Sequence, residues 1–430
     1  MAWNVFVLGL DELGERLLPQ LNHADDYVFH GLLSLDEAVH AENYDIARLL
    51  KTAIEELERF DGSVDAVVGY WDFPTSALAP LIRQHFNLPG PTLESVLKCE
   101  NKYWSRLEQR KAAPDVVPQF QALDPFAEDP LQEVELDYPF WLKPIKSHSS
   151  QLGFRIDSDE QLQAAIPRIR EGIERLAEPF NEVMAYADLP PEITSMDHKS
   201  CIAEGIISMG RQCTLEGYVF NGEVRISGIV DTLRDAKYPS VLSRYVYPSG
   251  LPQNVQDLMF RVTRAVMLQI GYDNAAFNIE YFYDEHAEKV WLLEINSRLS
   301  RSHGPIFQLV DGVPHFQIMV DLGLGIDPRM PHREGHYALA AKQMIKVFED
   351  GIVRRVPSEH DIKALEALYP GTLVEMNVEE GMRLSELLHQ DEYSYELGVI
   401  FTGADDQDQL SERLRQCEDM LDIRIDPVSD

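Results

Sequence analysis

The chain has 430 residues, 45% of them hydrophobic, too long for one ordinary core and suited to a globular protein of two or three domains. Acidic residues outnumber basic ones by 72 to 38, a formal net charge of −34 at pH 7, and such a field repels nucleic-acid backbones, so no nucleic-acid partner is expected. No apolar run approaches the roughly 20 residues that span a bilayer, which excludes a helical membrane anchor.

The N-terminus passes directly into a strand pattern, Val5 to Leu8, without a basic region, so secretion is not expected. Cys99, Cys201, Cys213 and Cys417 are scattered without a Cys-x-x-Cys pair, which fits free thiols in a reducing compartment and argues against structural zinc. A cytoplasmic protein is the resulting expectation.

The first hundred residues alternate strand and helix. Strand 4–8 leads to a helix over 12–21, then strand 27–33, helix 44–59 and strand 64–70, with Pro74 opening a further helix marked by Leu78, Leu81, Ile82 and Phe86. This is a βαβαβ order, an open parallel sheet. Its first turn, Gly9 to Gly14, lacks the G-x-G-x-x-G spacing with which a backbone approaches a pyrophosphate, so no dinucleotide is expected there.

Leu88-Pro89-Gly90-Pro91 breaks the pattern, and Thr92 caps a helix predicted to run over 94–110. A loop rich in Pro and Asp is expected over 114–129, then a short buried strand, Tyr138 to Lys143, ended by Pro144. A helix over 157–178 and a strand over 201–207 follow. Asn221-Gly222 joins strands 212–220 and 223–230 in a hairpin, the strongest short-range signal of its kind. A helix over 254–270 precedes two strands that carry acidic residues, 276–283 and 290–296, and another helix is expected near 306–324. The last hundred residues show strands and a final helix over 408–421.

Those two acidic strands hold the chemistry. Glu280 lies in the middle of one; the other runs from Val290 through Leu293 into Glu294-Ile295-Asn296-Ser297-Arg298. Two glutamates and an asparagine on neighbouring strands form a hard-oxygen set suited to Mg²⁺ on nucleotide phosphates, and side-chain alternation aims Arg298 from the same face. Because the net charge repels ATP, the nucleotide site has to be locally basic. Lys102 opens a helix after Cys99-Glu100-Asn101, and Lys143 ends a buried strand, where an ammonium is placed as a point-charge ligand for phosphate. The segment from Ser147 through His148, Ser149, Ser150 and Gln151 to Gly153 either folds its amides and hydroxyls over phosphates or is an ordinary connector. Arg301-Ser302-His303 is a candidate for orienting a carboxylate or accepting an amine proton, with a solvated helix-entry turn as the alternative. Glu216, on the hairpin, is a candidate ligand. Asp231, Arg234 and Lys237 read as a solvated loop, and Trp71, Tyr103 and Trp104 as packing.

In this order the motifs resemble the ATP-grasp superfamily over residues 1–330: a parallel pre-domain, a helix lysine, a strand lysine followed by a small-residue loop, a hinge strand, a hairpin and a closing Glu-x-Asn-x-Arg. The ordered combination of Glu294-Ile295-Asn296-Ser297-Arg298 with Asn278-Ile279-Glu280 is its most specific part. The resemblance implies an α/β (α+β) fold with a pre-domain over 1–93, an ATP-grasp domain of two subdomains over 94–330 and a small C-terminal α+β cap over 331–430. It further implies that Lys102 and Lys143 hold the nucleotide phosphates and that the loop with Ser147, Ser149, Ser150 and Gly153 covers them. By the same resemblance Glu204, Gly205 and Ile206 form the hinge at adenine, and Glu280, Glu294 and Asn296 bind Mg²⁺ or Mn²⁺. Arg298 is then the residue that stabilises the transferring charge. The loop is serine-rich where many relatives are glycine-rich. The C-terminal stretch, from Gly381 to Gly398, resembles the biotin-carboxylase-like branch.

The activity implied is ATP-dependent coupling of a small carboxylate, an amino acid as the leading choice, to an amine through an acyl phosphate, with ADP and phosphate released. A carboxylase activating bicarbonate and a non-catalytic nucleotide-binding protein are the alternatives. Small-molecule substrates are the expected partners, and a homodimer is the oligomer the resemblance suggests.

Overall fold

The structure is a computed structural model that describes residues 2–147, 152–196, 199–238, 240–387 and 394–428. It is a mixed α/β protein with the ATP-grasp architecture. A parallel three-stranded sheet, in the order Tyr27–Leu32, Trp3–Leu8, Ala66–Val68, forms the N-terminal unit, as the βαβαβ pattern requires. An antiparallel four-stranded sheet runs Phe120–Leu123, Cys201–Gly205, Phe140–Pro144, Phe154–Ile156. The largest sheet has eight strands, in the order Lys289–Asn296, Ala275–Asp284, Arg211–Phe220, Glu223–Arg234, Leu242–Tyr247, Leu339–Val347, Tyr395–Ala404, Leu373–Met376. Three of these come from the last hundred residues, so the C-terminal strands extend the sheet that carries Glu280 and Glu294.

Each site-bearing sheet has one apolar and one polar face, and the alternation along its strands sets which is which. In the four-stranded sheet Phe140, Leu142, Cys201 and Ala203 pack onto the helices Asp159–Gly172 and Glu174–Met184 through Leu162, Ile166, Ile169 and Ala177, which leaves Lys143 on the other face. In the large sheet Cys213, Leu215, Phe277, Ile279, Tyr281, Leu292 and Ile295 pack onto the helix Gln253–Ile270 through Met259, Val266 and Met267. The remaining face carries Glu216, Asn278, Glu280 and Glu294. Glu280 stands opposite Glu294, and a register shift places Tyr281 opposite Leu292. This bulge returns Leu292 to the core while Glu294 keeps facing Glu280.

Several element boundaries differ from expectation for identifiable reasons. The helix expected over 94–110 is two, Leu93–Glu100 and Lys102–Ala112, because Asn101 is extended (φ −81°, ψ 106°) and its side chain accepts from the Tyr103 and Trp104 amides. Asn101 thus ends one helix and caps the next, fixing Lys102 as its first residue. The expected loop over 114–129 contains the strand Phe120–Leu123, paired with Cys201–Gly205. The helix expected near 306–324 is divided into Gly304–Asp311 and Phe316–Gly323 at Gly312, whose φ of 99° suits a residue without a Cβ. The helix that starts at Glu12 stops at Leu17 and tightens into a 3₁₀ turn around Pro19. At the hairpin, Asn221 and Gly222 have φ of 50° and 78°, the left-handed pair that a two-residue turn demands. Among the described residues no helix is long and apolar enough to cross a membrane.

Candidate active site

Between the polar faces of the two antiparallel sheets lies a cavity of about 220 Å³, lined by residues from four parts of the chain. The large sheet contributes Glu280, Leu293, Glu294, Asn296 and, just beyond its edge strand, Arg298. The four-stranded sheet contributes Lys143 and Glu204, and the chain beyond Pro144 adds Lys146 and Ser147. From the paired helices come Glu100, Lys102, Ser105, Arg106 and Gln109, and from the end of the parallel strand Ala66–Val68 comes Asp72.

The cations are distributed among the acids in a definite way. Lys102 Nζ lies 3.3 Å from Glu294 Oε2 and donates to the Ser147 carbonyl at 2.7 Å, while its backbone amide donates to the Ile145 carbonyl at 2.9 Å. It therefore ties the start of its helix to both sheets. Lys143 Nζ lies 2.5 Å from Glu204 Oε1, and Arg106 Nε donates to Glu204 Oε2 at 2.8 Å. Arg106 also donates to the Leu292 carbonyl at 2.7 Å, bridging the strand Cys201–Gly205 to the edge of the large sheet. Lys146 pairs with Glu100 and sits between the rings of Phe73, at 4.8 Å, and Phe180, at 5.2 Å. Arg298 makes a two-pronged bond to Asp72, each contact 2.8 Å.

Glu280 and Glu294 differ because their cations differ. Burial and the facing Glu294 carboxylate push the Glu280 carboxyl up to about 7. Burial acts in the same sense on Glu294, but the Lys102 and Lys143 ammonium groups hold it below the ordinary carboxylate value. Asn296 donates through Nδ2 to Asn278 Oδ1 at 2.8 Å, so the Oδ1 end of its amide is the end left for a cation. Among the described residues no group of three or more His, Cys, Asp or Glu is arranged to hold a metal. The set here is two mutually repelling carboxylates and one amide oxygen, hard donors that fit Mg²⁺ completed by phosphate and water.

Glu204 is 2% exposed. Burial would raise its carboxyl, yet the Arg106 and Lys143 charges bring it down to about 2. A depressed value means that the stabilising ion pair is complete above the ordinary carboxylate range and is lost as pH falls from there toward 2. Acid titration of the wild-type chain should therefore show a loss of thermal stability below about pH 4.5 that Glu204→Gln lacks. Arg106→Met, which leaves a buried carboxylate with Lys143 alone, should cost about 3 kcal/mol in denaturant unfolding.

Of the candidates named from the sequence, Lys102, Lys143, Ser147, Glu204, Glu280, Glu294, Asn296 and Arg298 all line this one cavity. Gly153, Gly205 and Ile206 lie outside its lining, although Gly205 ends the strand that carries Glu204. Ser149 and Ser150, with His148 and Gln151, fall outside the described residues. Three candidates are placed elsewhere by their partners. Glu216 and His303 are buried together, the His303 Nδ1 to Glu216 Oε1 distance being 2.8 Å. Burial pushes the His303 imidazole down to about 3, so at neutral pH it is an uncharged ring whose Nδ1 is engaged with Glu216. Arg301 pairs with Asp11 and, at 3.3 Å, with Glu375 Oε1, its guanidinium lying over the Trp71 ring. It thus joins the parallel unit to the C-terminal strands.

Asp72, Glu100, Arg106 and Lys146 escape the sequence reading. Two carry a usable pattern. Lys102, Ser105, Arg106 and Gln109 are a polar stripe at helical spacing, and Asp72 follows the carboxyl end of a parallel strand, where open α/β sheets bind ligands. Lys146 lies past Pro144, where strand alternation no longer predicts direction.

Comparison with known proteins agrees with this architecture. Residues 136–303 match a family model described as an ATP-grasp domain. The chain is 25% identical over 413 residues to the uncharacterised protein y4rH of Sinorhizobium fredii, covering 92% of this chain and 77% of that protein. Among solved structures, an L-amino acid ligase from Bacillus licheniformis superposes with a TM-score of 0.70 at 15% identity over 99% of both chains. A biotin carboxylase from Campylobacter jejuni superposes with a TM-score of 0.66 at 14% identity, over 99% of this chain and 92% of that one. At such identities the structural likeness establishes the fold alone.

Proposed function

The chain carries an ATP-grasp domain over residues 136–303, and on that premise we propose that it is an ADP-forming ligase joining a small carboxylate, in the first instance an amino acid, to an amine. The observation that carries the reading is one cavity holding a facing pair of carboxylates, Glu280 and Glu294, together with Lys102, Lys143 and Arg298.

Each residue has a task that follows from its surroundings. Lys143 and Lys102, set against carboxylates from the two sheets, bind the nucleotide phosphates and offset the protein's negative field. Glu280, Glu294 and Asn296 would hold Mg²⁺, which when bound neutralises phosphate charge. Arg298, at the edge of that set, stabilises negative charge on the phosphoryl group as an oxygen of the substrate carboxylate displaces ADP. The amine nitrogen then attacks the acyl carbon, the amide bond forms, and phosphate leaves with the former carboxylate oxygen.

The test is a phosphate-release screen of the full chain with ATP, Mg²⁺ and pairs of amino acids, with bicarbonate plus biotin as a separate arm. ADP, phosphate and an amide product identified by mass in the amino-acid arm are expected. Turnover confined to the bicarbonate arm would replace the ligase with a carboxylase, and nucleotide binding without turnover in any arm would leave a non-catalytic protein. Lys143→Ala should weaken MgATP binding roughly tenfold or more, read by isothermal titration; an unaltered affinity would remove Lys143 from the phosphate site.

A further inference from the structure

We propose that Glu216 is a positioning residue: it fixes the segment 298–303 over the sheet and thereby sets where Arg298 stands, an inference that rests on the reading of Arg298 given above. The basis is a row of side chains across three neighbouring strands. Asn296 pairs with Asn278, and Asn278 pairs with Glu216, so the three lie side by side on the cavity-facing side of the sheet. The chain that leaves the edge strand at Asn296 folds back over this row and is held at successive points. Asn278 Nδ2 donates to the Arg298 carbonyl at 3.2 Å. Glu216 Oε1 accepts from the Ser300 amide at 3.3 Å and lies 2.8 Å from His303 Nδ1. The Arg298 guanidinium is thus anchored twice, through its own backbone by this row and through its side chain by Asp72.

The carboxylate is poorly placed for a purely stabilising role. Glu216 is 1% exposed, and its Oε2 has no hydrogen-bond partner among the described residues; nor has either ring nitrogen of His315, whose Nε2 lies 3.8 Å away. Buried polar atoms left in this state are costly. An apolar residue would fill the space at lower cost, but could neither accept from the Ser300 amide nor hydrogen-bond the His303 ring. Glu216 is also absent from the cavity lining, so it acts through Arg298 and not on the nucleotide.

The experiment compares Glu216→Ala and Glu216→Gln in the full chain, alone and with Arg298→Lys. Glu216→Ala should lower the ADP-forming rate by about 100-fold, the scale of a 1 Å misplacement near the reacting atoms, with MgATP affinity within about twofold of wild type. Glu216→Gln, which keeps an acceptor oxygen for the Ser300 amide and a side chain able to hydrogen-bond the His303 ring, should recover most of that loss. In the Arg298→Lys background Glu216→Ala should cost less than about threefold, because residues acting as a unit are not additive. Parallel losses of rate and MgATP affinity, or losses that multiply with Arg298→Lys, would overturn the inference. Should the wild-type chain turn over no acid–amine pair, the ligase reading fails by itself. The crystal structure of Glu216→Ala then decides: displacement of 298–303 with loss of the Arg298–Asp72 contact upholds the positioning role, and an unmoved segment overturns it.

Discussion

Arg298→Met should reduce ADP formation by on the order of 10³-fold, the lower range for removing an arginine that faces a transferring phosphoryl group. The size of the effect follows from its neighbours. Asp72, Glu100, Glu280 and Glu294 line the same cavity, and Arg298 is the cation that meets the first of them through two 2.8 Å contacts. Without it Asp72 loses its two-pronged contact with a guanidinium beside the carboxylate pair, where the incoming acid has to approach. Arg298→Lys should recover only part of the rate, because an ammonium lacks the planar fork that serves Asp72 and a phosphoryl oxygen together. Steady-state kinetics with the acid–amine pair found by the phosphate-release screen, alongside MgATP affinity, would check this. A methionine variant that turns over at the wild-type rate would place Arg298 outside the reaction.

The second large effect is expected at Glu294. Glu294→Gln keeps the shape and removes the charge that Lys102 meets at 3.3 Å. It also removes the carboxylate that stays ionised while its neighbour Glu280 is pushed up to about 7. Loss of a residue one step behind a metal commonly costs 10–100-fold in metal affinity or activity, and loss of a direct ligand should cost at least the upper end, about 100-fold. The Mg²⁺ concentration needed for half-maximal ADP formation should rise accordingly. Because the Glu294 side chain is 34% exposed, thermal stability should hardly change. Asn296→Ala, which removes the amide oxygen and the bond to Asn278, should act in the same direction. An unchanged Mg²⁺ requirement in both variants would end the metal assignment.

Much of this arrangement is legible in the chain itself, and the reasons are local. The parallel N-terminal unit follows from alternating periodicities of 2 and 3.6, and the hairpin from Asn221-Gly222, whose left-handed dihedrals few other pairs adopt. Glu280 and Glu294 are readable as neighbours because two short strands in sequence pair antiparallel, whereas the bulge that turns Glu294 to the face of Glu280 with Leu292 still in the core is not given by simple alternation. Lys143 is readable because Phe140 and Leu142 claim the opposite face of its strand. The Gly205–Ile206 and Gly153 assignments rest on resemblance alone, with no local pattern to direct those groups into the cavity.

What the linear chain determines by itself is therefore the set of elements, the face each strand presents, and the acids and lysines that share a face: quantities fixed by dihedral preference and periodicity over a few residues. Only the tertiary structure decides how separate faces meet. Asp72 reaches Arg298 across 226 positions, Arg106 reaches Glu204 across 98, and Glu216 and His303 close on each other instead of on the cavity. These contacts depend on the packing of whole sheets and helices. A buried charge settles on whichever counter-charge that packing brings within about 3 Å, because an unpaired charge in a dry interior is too costly to persist.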